Sequence, residues 1–181
     1  FWVDHEWLSG VLFYQLTRLG GDNALLIFTL IAMSLTILLV VWAQKQRLGQ
    51  NGVILPWLLL TLVPLFVVWE SVVRCKVFTF GFLALLFLVL ERWNQGDRKW
   101  LWGVPLLFAV WTNLHGGVVA GLGLFGAFAT AESLKDFRRS LALWVCFTAS
   151  CVFTLINPYG TRLWVYLLQA ATMDRPEISE W

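Results

Sequence analysis

Long apolar runs separated by short polar clusters set the pattern of this chain. The first clear run covers residues 24–43 and carries no charge. About 20 such residues match a hydrocarbon core of about 30 Å at about 1.5 Å per helical residue. Further runs follow at 53–69, 77–90, 100–112, 118–131 and 141–156. Pro56 and Pro105 stand near the starts of their runs, where a missing N–H does little harm, while Pro64 is interior and predicts a kink. The runs at 77–90, 100–112 and 118–131 are short, which predicts little tilt or a locally thin bilayer. The run at 118–131 is rich in Gly and Ala, so a neighbouring helix can approach it closely.

Ahead of the first run, residues 7–19 mix Leu8, Val11, Leu12, Tyr14, Leu16 and Leu19 with Ser9, Gln15, Thr17 and Arg18. At helical spacing this is a short amphipathic segment that lies in the membrane interface rather than spanning it. Gly20-Gly21 ends it, and Asp22 or Asn23 can cap the next helix. The predicted fold is all-α: a polytopic transmembrane helical bundle of about six spans preceded by an interfacial helix. Three regions follow: an external loop with the interfacial helix (1–23), a membrane core (24–156) and an external amphipathic tail (157–181).

Composition narrows the class. Of 181 residues, 59% are hydrophobic and 13% charged, and the mean hydropathy is +0.73. A soluble domain carries about 25% charged residues, so a soluble reading is excluded. The twelve Trp suit membrane–water boundaries, where the ring is buried and its N–H stays wet. The three Cys have no framework or zinc spacing; Cys146 and Cys151 fall within an apolar run and read as small buried hydrophobes.

Charge then orients the threading. Lys45, Arg47, Arg92, Arg98, Lys99, Lys135, Arg138 and Arg139 crowd into three alternate connections. By the positive-inside rule these connections are cytoplasmic. The remaining polar motifs then share the outer face: Asp4-His5-Glu6, Arg74-Cys75-Lys76, Asn113-Leu114-His115-Gly116-Gly117, Asn157-Pro158-Tyr159-Gly160 and Arg175-Pro176-Glu177. The expected location is a membrane crossed several times, with the chemistry on its outer side; the resemblance given below implies a bacterial cytoplasmic (inner) membrane.

Asp4 and Glu6 are the candidate catalytic residues, since a carboxylate at a membrane surface can take a proton from an acceptor hydroxyl, bind a divalent metal or orient a sugar. An exposed acidic loop anchored by Trp is the plainer alternative. Arg74 and Lys76 run against the positive-inside rule, and a phosphate ligand gives them a reason to be there. Snorkelling to lipid phosphates or pairing with Glu70 accounts for them equally. Asn113 and His115 offer donors beside Gly116 and Gly117, which permit close backbone approach, and His5 adds an imidazole to the cluster of Asp4 and Glu6. Tyr159 lies in a motif read most simply as a turn.

Taken together, Asp4-His5-Glu6-Trp7, Trp111-Thr112-Asn113-Leu114-His115-Gly116-Gly117, Asn157-Pro158-Tyr159-Gly160 and Arg175-Pro176-Glu177-Ile178-Ser179-Glu180-Trp181 resemble a family of bacterial polytopic proteins. That family looks related to the GT-C superfamily of membrane glycosyltransferases, which includes protein mannosyltransferases and aminoarabinose transferases. The resemblance implies a seven-helix core with an acidic external loop after its first helix, so this chain would supply the loop and the six helices that follow. It implies sugar transfer from a polyprenyl-phosphate-type donor to an acceptor on the outer face. Asp4 or Glu6 would be the base, with Arg74, Lys76 and His115 toward the donor phosphate and His5, Asn113 and Tyr159 as further substrate contacts. Relatives read Arg-Pro-Gln where this chain has Arg74-Cys75-Lys76, so Arg74 matches and Cys75 and Lys76 depart from the pattern. Some superfamily members need a divalent metal and others do not, so the cofactor stays open. Expected partners are membrane lipid, the lipid-linked sugar and other membrane subunits; no nucleic acid is expected. The alternative to an enzyme is a non-catalytic subunit that keeps the fold as a scaffold. A transporter predicts charge at mid-membrane depth, and none occurs within 24–43 or 141–156.

Overall fold

The computed structural model describes residues 4–48 and 73–172. The expected span at 53–69, with Pro56, Pro64 and Glu70, and the Arg175 and Glu177 motif lie outside the described residues. The described chain is all-helical. Its elements are α1 (Trp7–Leu48), α2 (Lys76–Asn94), a 3-10 turn (Lys99–Gly103), α3 (Val104–Leu114), α4 (Val118–Lys135), α5 (Phe137–Phe153) and α6 (Thr161–Thr172). Three stretches are long and apolar enough to cross a membrane: one within Trp7–Lys45, then Lys76–Asn94 and Val118–Lys135. Among the described residues, which hold five of the six expected spans, three are long and apolar enough by this measure. α3 has 11 residues and α5 has 17, about 16 Å and 25 Å of rise.

α1 is two arms rather than one rod. Gly20 (φ −154°, ψ 21°) and Gly21 (φ 61°, ψ −155°) leave helical geometry. Gly21 takes a backbone conformation that a side chain would strain. The bend is sharp. Phe13 and Phe28 are fifteen positions apart, about 22 Å along a straight helix, yet their ring centroids lie 6.2 Å apart. Both rings also meet Phe78 of α2, at 5.9 and 5.8 Å. The first arm therefore doubles back on the second, with Ser9 buried and Phe13 and Leu16 half-buried on its inner side.

The second arm runs parallel to α2. Thr36 faces Gly81, and Arg92 sits 5.1 Å from the Trp42 ring centroid. The ends joined by residues 49–72 thus lie at opposite ends of the bundle. α3 returns antiparallel to α2, bringing Trp111 to Thr79. α4 runs away again and α5 returns, with Thr112 donating to the Thr154 carbonyl.

An aromatic column holds these helices together. Trp111 stacks on Phe82 (5.4 Å) and Phe108 (5.5 Å), Phe108 on Phe125 (6.3 Å), and Phe125 meets Phe147 edge-on (5.7 Å). Gly121 makes room for it: a Cβ there would lie 2.3 Å from Trp111 Cζ3. Close packing of this kind drives helix association in lipid, where apolar burial alone gives no preference.

The two ends of the bundle differ in character. One carries Lys45, Arg92, Arg98, Lys99, Lys135, Arg138 and Arg139. There the guanidiniums of Arg92 and Arg98 lie over the rings of Trp42 and Trp93, and Asp136 caps α5 by accepting from the Arg139 N–H. The other end gathers residues 4–9, 73–79, 111–117 and 154–172. It is the end the sequence assigns to chemistry.

Candidate functional site

Glu6 sits at the centre of that second end. The turn at Asp4–Glu6 starts α1, with the Trp7 N–H donating to the Asp4 carbonyl. Two ties then fix the start of α1 onto α3. The Trp7 indole N–H donates to Asn113 Oδ1 at 2.8 Å, and the Ser9 hydroxyl donates to the Leu114 carbonyl. These bonds aim Glu6 at the α3–α4 connection. Its Oε1 lies 3.3 Å from His115 Nε2 and 3.5 Å from His5 Nε2.

His115 is held from behind. Its Nδ1 accepts the Gly117 backbone N–H at 2.8 Å and lies 2.8 Å from Thr79 Oγ1. Thr79 in turn accepts the Trp111 indole N–H at 3.1 Å. Gly117 is required for this approach, since a Cβ there would lie 2.8 Å from His115 Nδ1 and closer still to Thr79 Oγ1. Gly116 lies under His5 and Leu167, 3.2 Å from where its own Cβ would be. The two glycines are therefore needed for close approach.

Burial pushes the His115 imidazole below its ordinary 6.5; the Glu6 charge opposes this, while His5 and Lys76 add to the depression. Cys75, at the start of α2, shares the Glu6 carboxylate. Burial raises its thiol first, then a hydrogen bond to Glu6 and the Glu6 charge, taking it up to about 12. α6 closes the far side, with the Tyr166 ring 5.2 Å from the His5 ring.

The remaining candidates are placed as follows. Lys76 is half-buried and near enough to His115 to bear on its titration. Arg74 is exposed ahead of α2. Asp4 is exposed, and its carboxylate accepts the Glu6 N–H at 3.3 Å, so it shapes the turn rather than joining the two imidazoles. Asn113 is buried: besides Trp7, its amide donates to the carbonyls of Ala109 and Ile156, both at 2.7 Å. It is a structural pin between three segments. Tyr159 is half-buried in a turn where its N–H donates to Asn157 Oδ1 at 2.8 Å and Gly160 takes φ 53°.

Thr79, Ser9 and Tyr166 were not singled out by sequence. The available signal for the first two was a hydroxyl on the inner side of an otherwise apolar helix face. Among the described residues no three His, Cys, Asp or Glu side chains form a group able to hold a metal ion. A groove of about 430 Å³ lies between α1 and α2, lined by Met33, Ile37, Val40, Phe80, Leu83 and Phe87. It is apolar and away from Glu6. No protein family, no curated protein and no solved structure matches the chain.

Proposed function

We propose that this chain is the core of a GT-C-like membrane glycosyltransferase and that Glu6 is its general base. The observation that supports this most is the meeting of one carboxylate with two imidazoles at a single end of an apolar bundle. In the proposed reaction Glu6 takes the proton of an acceptor hydroxyl. The hydroxyl oxygen bonds to the anomeric carbon of the sugar while the bond from that carbon to the phosphate oxygen breaks. The electron pair leaves with a polyprenyl phosphate. Arg74 and Lys76 counter the charge on that leaving group, and the carboxyl returns its proton to water. The basic end of the bundle faces the cytoplasm of a bacterial inner membrane, and Glu6 the outer side.

The test is turnover by the chain in liposomes, supplied with a panel of polyprenyl-phosphate-linked sugars and followed as release of polyprenyl phosphate. Glu6→Gln lowers turnover at least about 100-fold, the usual minimum for a general base, and Asp4→Asn keeps most of it. Unchanged turnover in Glu6→Gln would sink the proposal. A second reading, a non-catalytic subunit, is favoured by one observation. Ala120, Gly123 and Ala127 are exposed on one side of α4 among the described residues, a spacing suited to a partner helix.

A further inference from the structure

We infer that Thr79 is a positioning residue: together with the Gly117 N–H it fixes His115 as the neutral tautomer whose only proton is on Nε2, on the side of Glu6. The inference follows from donors and acceptors. A backbone N–H can only donate, so the Gly117 N–H at 2.8 Å requires a bare Nδ1. With Nδ1 an acceptor, the Thr79 hydroxyl 2.8 Å away can meet it only as a donor, sharing the single in-plane lone pair with the Gly117 N–H. The Thr79 oxygen is then free to accept, and it accepts the Trp111 indole N–H, which has no other role to offer. The direction of every bond is thereby set: Trp111 to Thr79, Thr79 to His115 Nδ1. A neutral ring with a bare Nδ1 carries its proton on Nε2, the atom 3.3 Å from Glu6 Oε1.

Protonating the ring would put a second N–H on Nδ1, aimed at the Gly117 N–H, and would place a cation in a half-buried position. The groups that bear on the ring are Glu6 and His5 from the amino-terminal turn and Lys76 from α2. Two of those three oppose a positive charge when protonated. The neutral ring is therefore favoured near neutral pH, where no imidazolium sits beside Glu6.

The catalytic consequence rests on the proposed function, but the tautomer does not. The experiment is nitrogen NMR of the full chain in micelles, with ¹⁵N-labelled histidine and His5→Gln to leave one ring, where bare and protonated ring nitrogens resonate far apart. Turnover of the same variants is measured on a polyprenyl-phosphate-linked hexose. His115 is expected to show a bare Nδ1 and a protonated Nε2. Thr79→Ser keeps this pattern, and Thr79→Val gives a mixture of tautomers. For turnover, Thr79→Val lowers kcat about tenfold with KM little changed, the effect of one well-placed hydrogen bond, and Thr79→Ser restores it. A protonated Nδ1 in the parent, or a Thr79→Val ring identical to the parent, overturns the inference. If the tautomer shifts as expected while no variant or parent turns over any lipid-linked sugar, the positioning role stands and the transferase reading falls. If Glu6→Gln abolishes turnover while Thr79→Val changes neither ring nor kcat, the reverse holds.

Discussion

The Cys75 thiol reports directly on whether Glu6 is where the structure puts it. Cys75 is half-buried at the start of α2, and its thiol is raised from 9.0 to about 12 by burial and by Glu6. At a pH of about 8 an ordinary thiol is roughly one-tenth thiolate, and a thiol at about 12 is roughly one ten-thousandth. Thiolate supply alone would slow alkylation about 1,000-fold. A more basic thiolate is also a better nucleophile, with a Brønsted slope of about 0.4–0.5, which returns a factor of about 20–30. The net expectation is a rate about 30–50-fold below that of a free small-molecule thiol. The assay is maleimide labelling in micelles, in a background where Cys146 and Cys151 are replaced by Ser. Glu6→Gln removes the charge and the anionic acceptor but not the burial, so it should speed labelling by about 3–10-fold without reaching the free-thiol rate. Labelling of the parent as fast as the free thiol would refute the placement of Glu6 against α2. So would a Glu6→Gln rate equal to the parent's.

Two further outcomes follow from the same geometry. Because His115 is depressed below 6.5 by burial, the unfolded chain binds more protons than the folded chain as pH falls below that value. Thermal stability in micelles should therefore be steady above about 6.5, decline below it until the folded ring itself protonates, and flatten in His115→Gln; an equal decline in that variant would refute the assignment. Gly121→Ala forces a methyl to within 2.3 Å of Trp111, which should cost about 1–3 kcal/mol by overpacking. Denaturant melts of Gly121→Ala and Gly123→Ala check this, since nothing lies within 4 Å of a Cβ at Gly123.

Much of the arrangement was legible because charge and hydropathy act over long stretches. The basic clusters around Lys45, Arg92 and Lys135 do share one end of the bundle, and the motifs around Glu6, Lys76 and His115 share the other. Gly20-Gly21 interrupts the helix where two glycines in succession predict it. What was not legible depends on side-chain direction. Asn113 and His115 are two positions apart in similar company, but Asn113 points between helices to bond Trp7, Ala109 and Ile156 while His115 points to Glu6. Asp4 and Glu6 were equivalent as letters. The turn separates them by giving the Asp4 carboxylate to the Glu6 N–H. Thr79 is one hydroxyl in a long apolar run, and its meaning comes only from Trp111 and His115, which reach it from another helix. Span number is harder to read, because α3, 11 residues long after a 3-10 turn, falls short of the length that marks a crossing although its apolar run reads as one.

The bonds from Trp7 to Asn113 and from Ser9 to Leu114 join positions 106 and 105 apart in sequence. A chain made from its amino terminus at about 5–20 residues per second therefore leaves Glu6 without His115 for roughly 5–20 seconds after it emerges. During that interval the segment that carries His5 and Glu6 and the segment that carries His115 are separate passengers in the membrane. They are joined only when α3 arrives and the α3–α4 turn closes behind it. Assembly of the site is thus a late event in the life of each molecule, dependent on the order in which helices are laid down. A chain stalled before Asn113 would carry every residue of its amino-terminal motif and have nothing for that motif to hold.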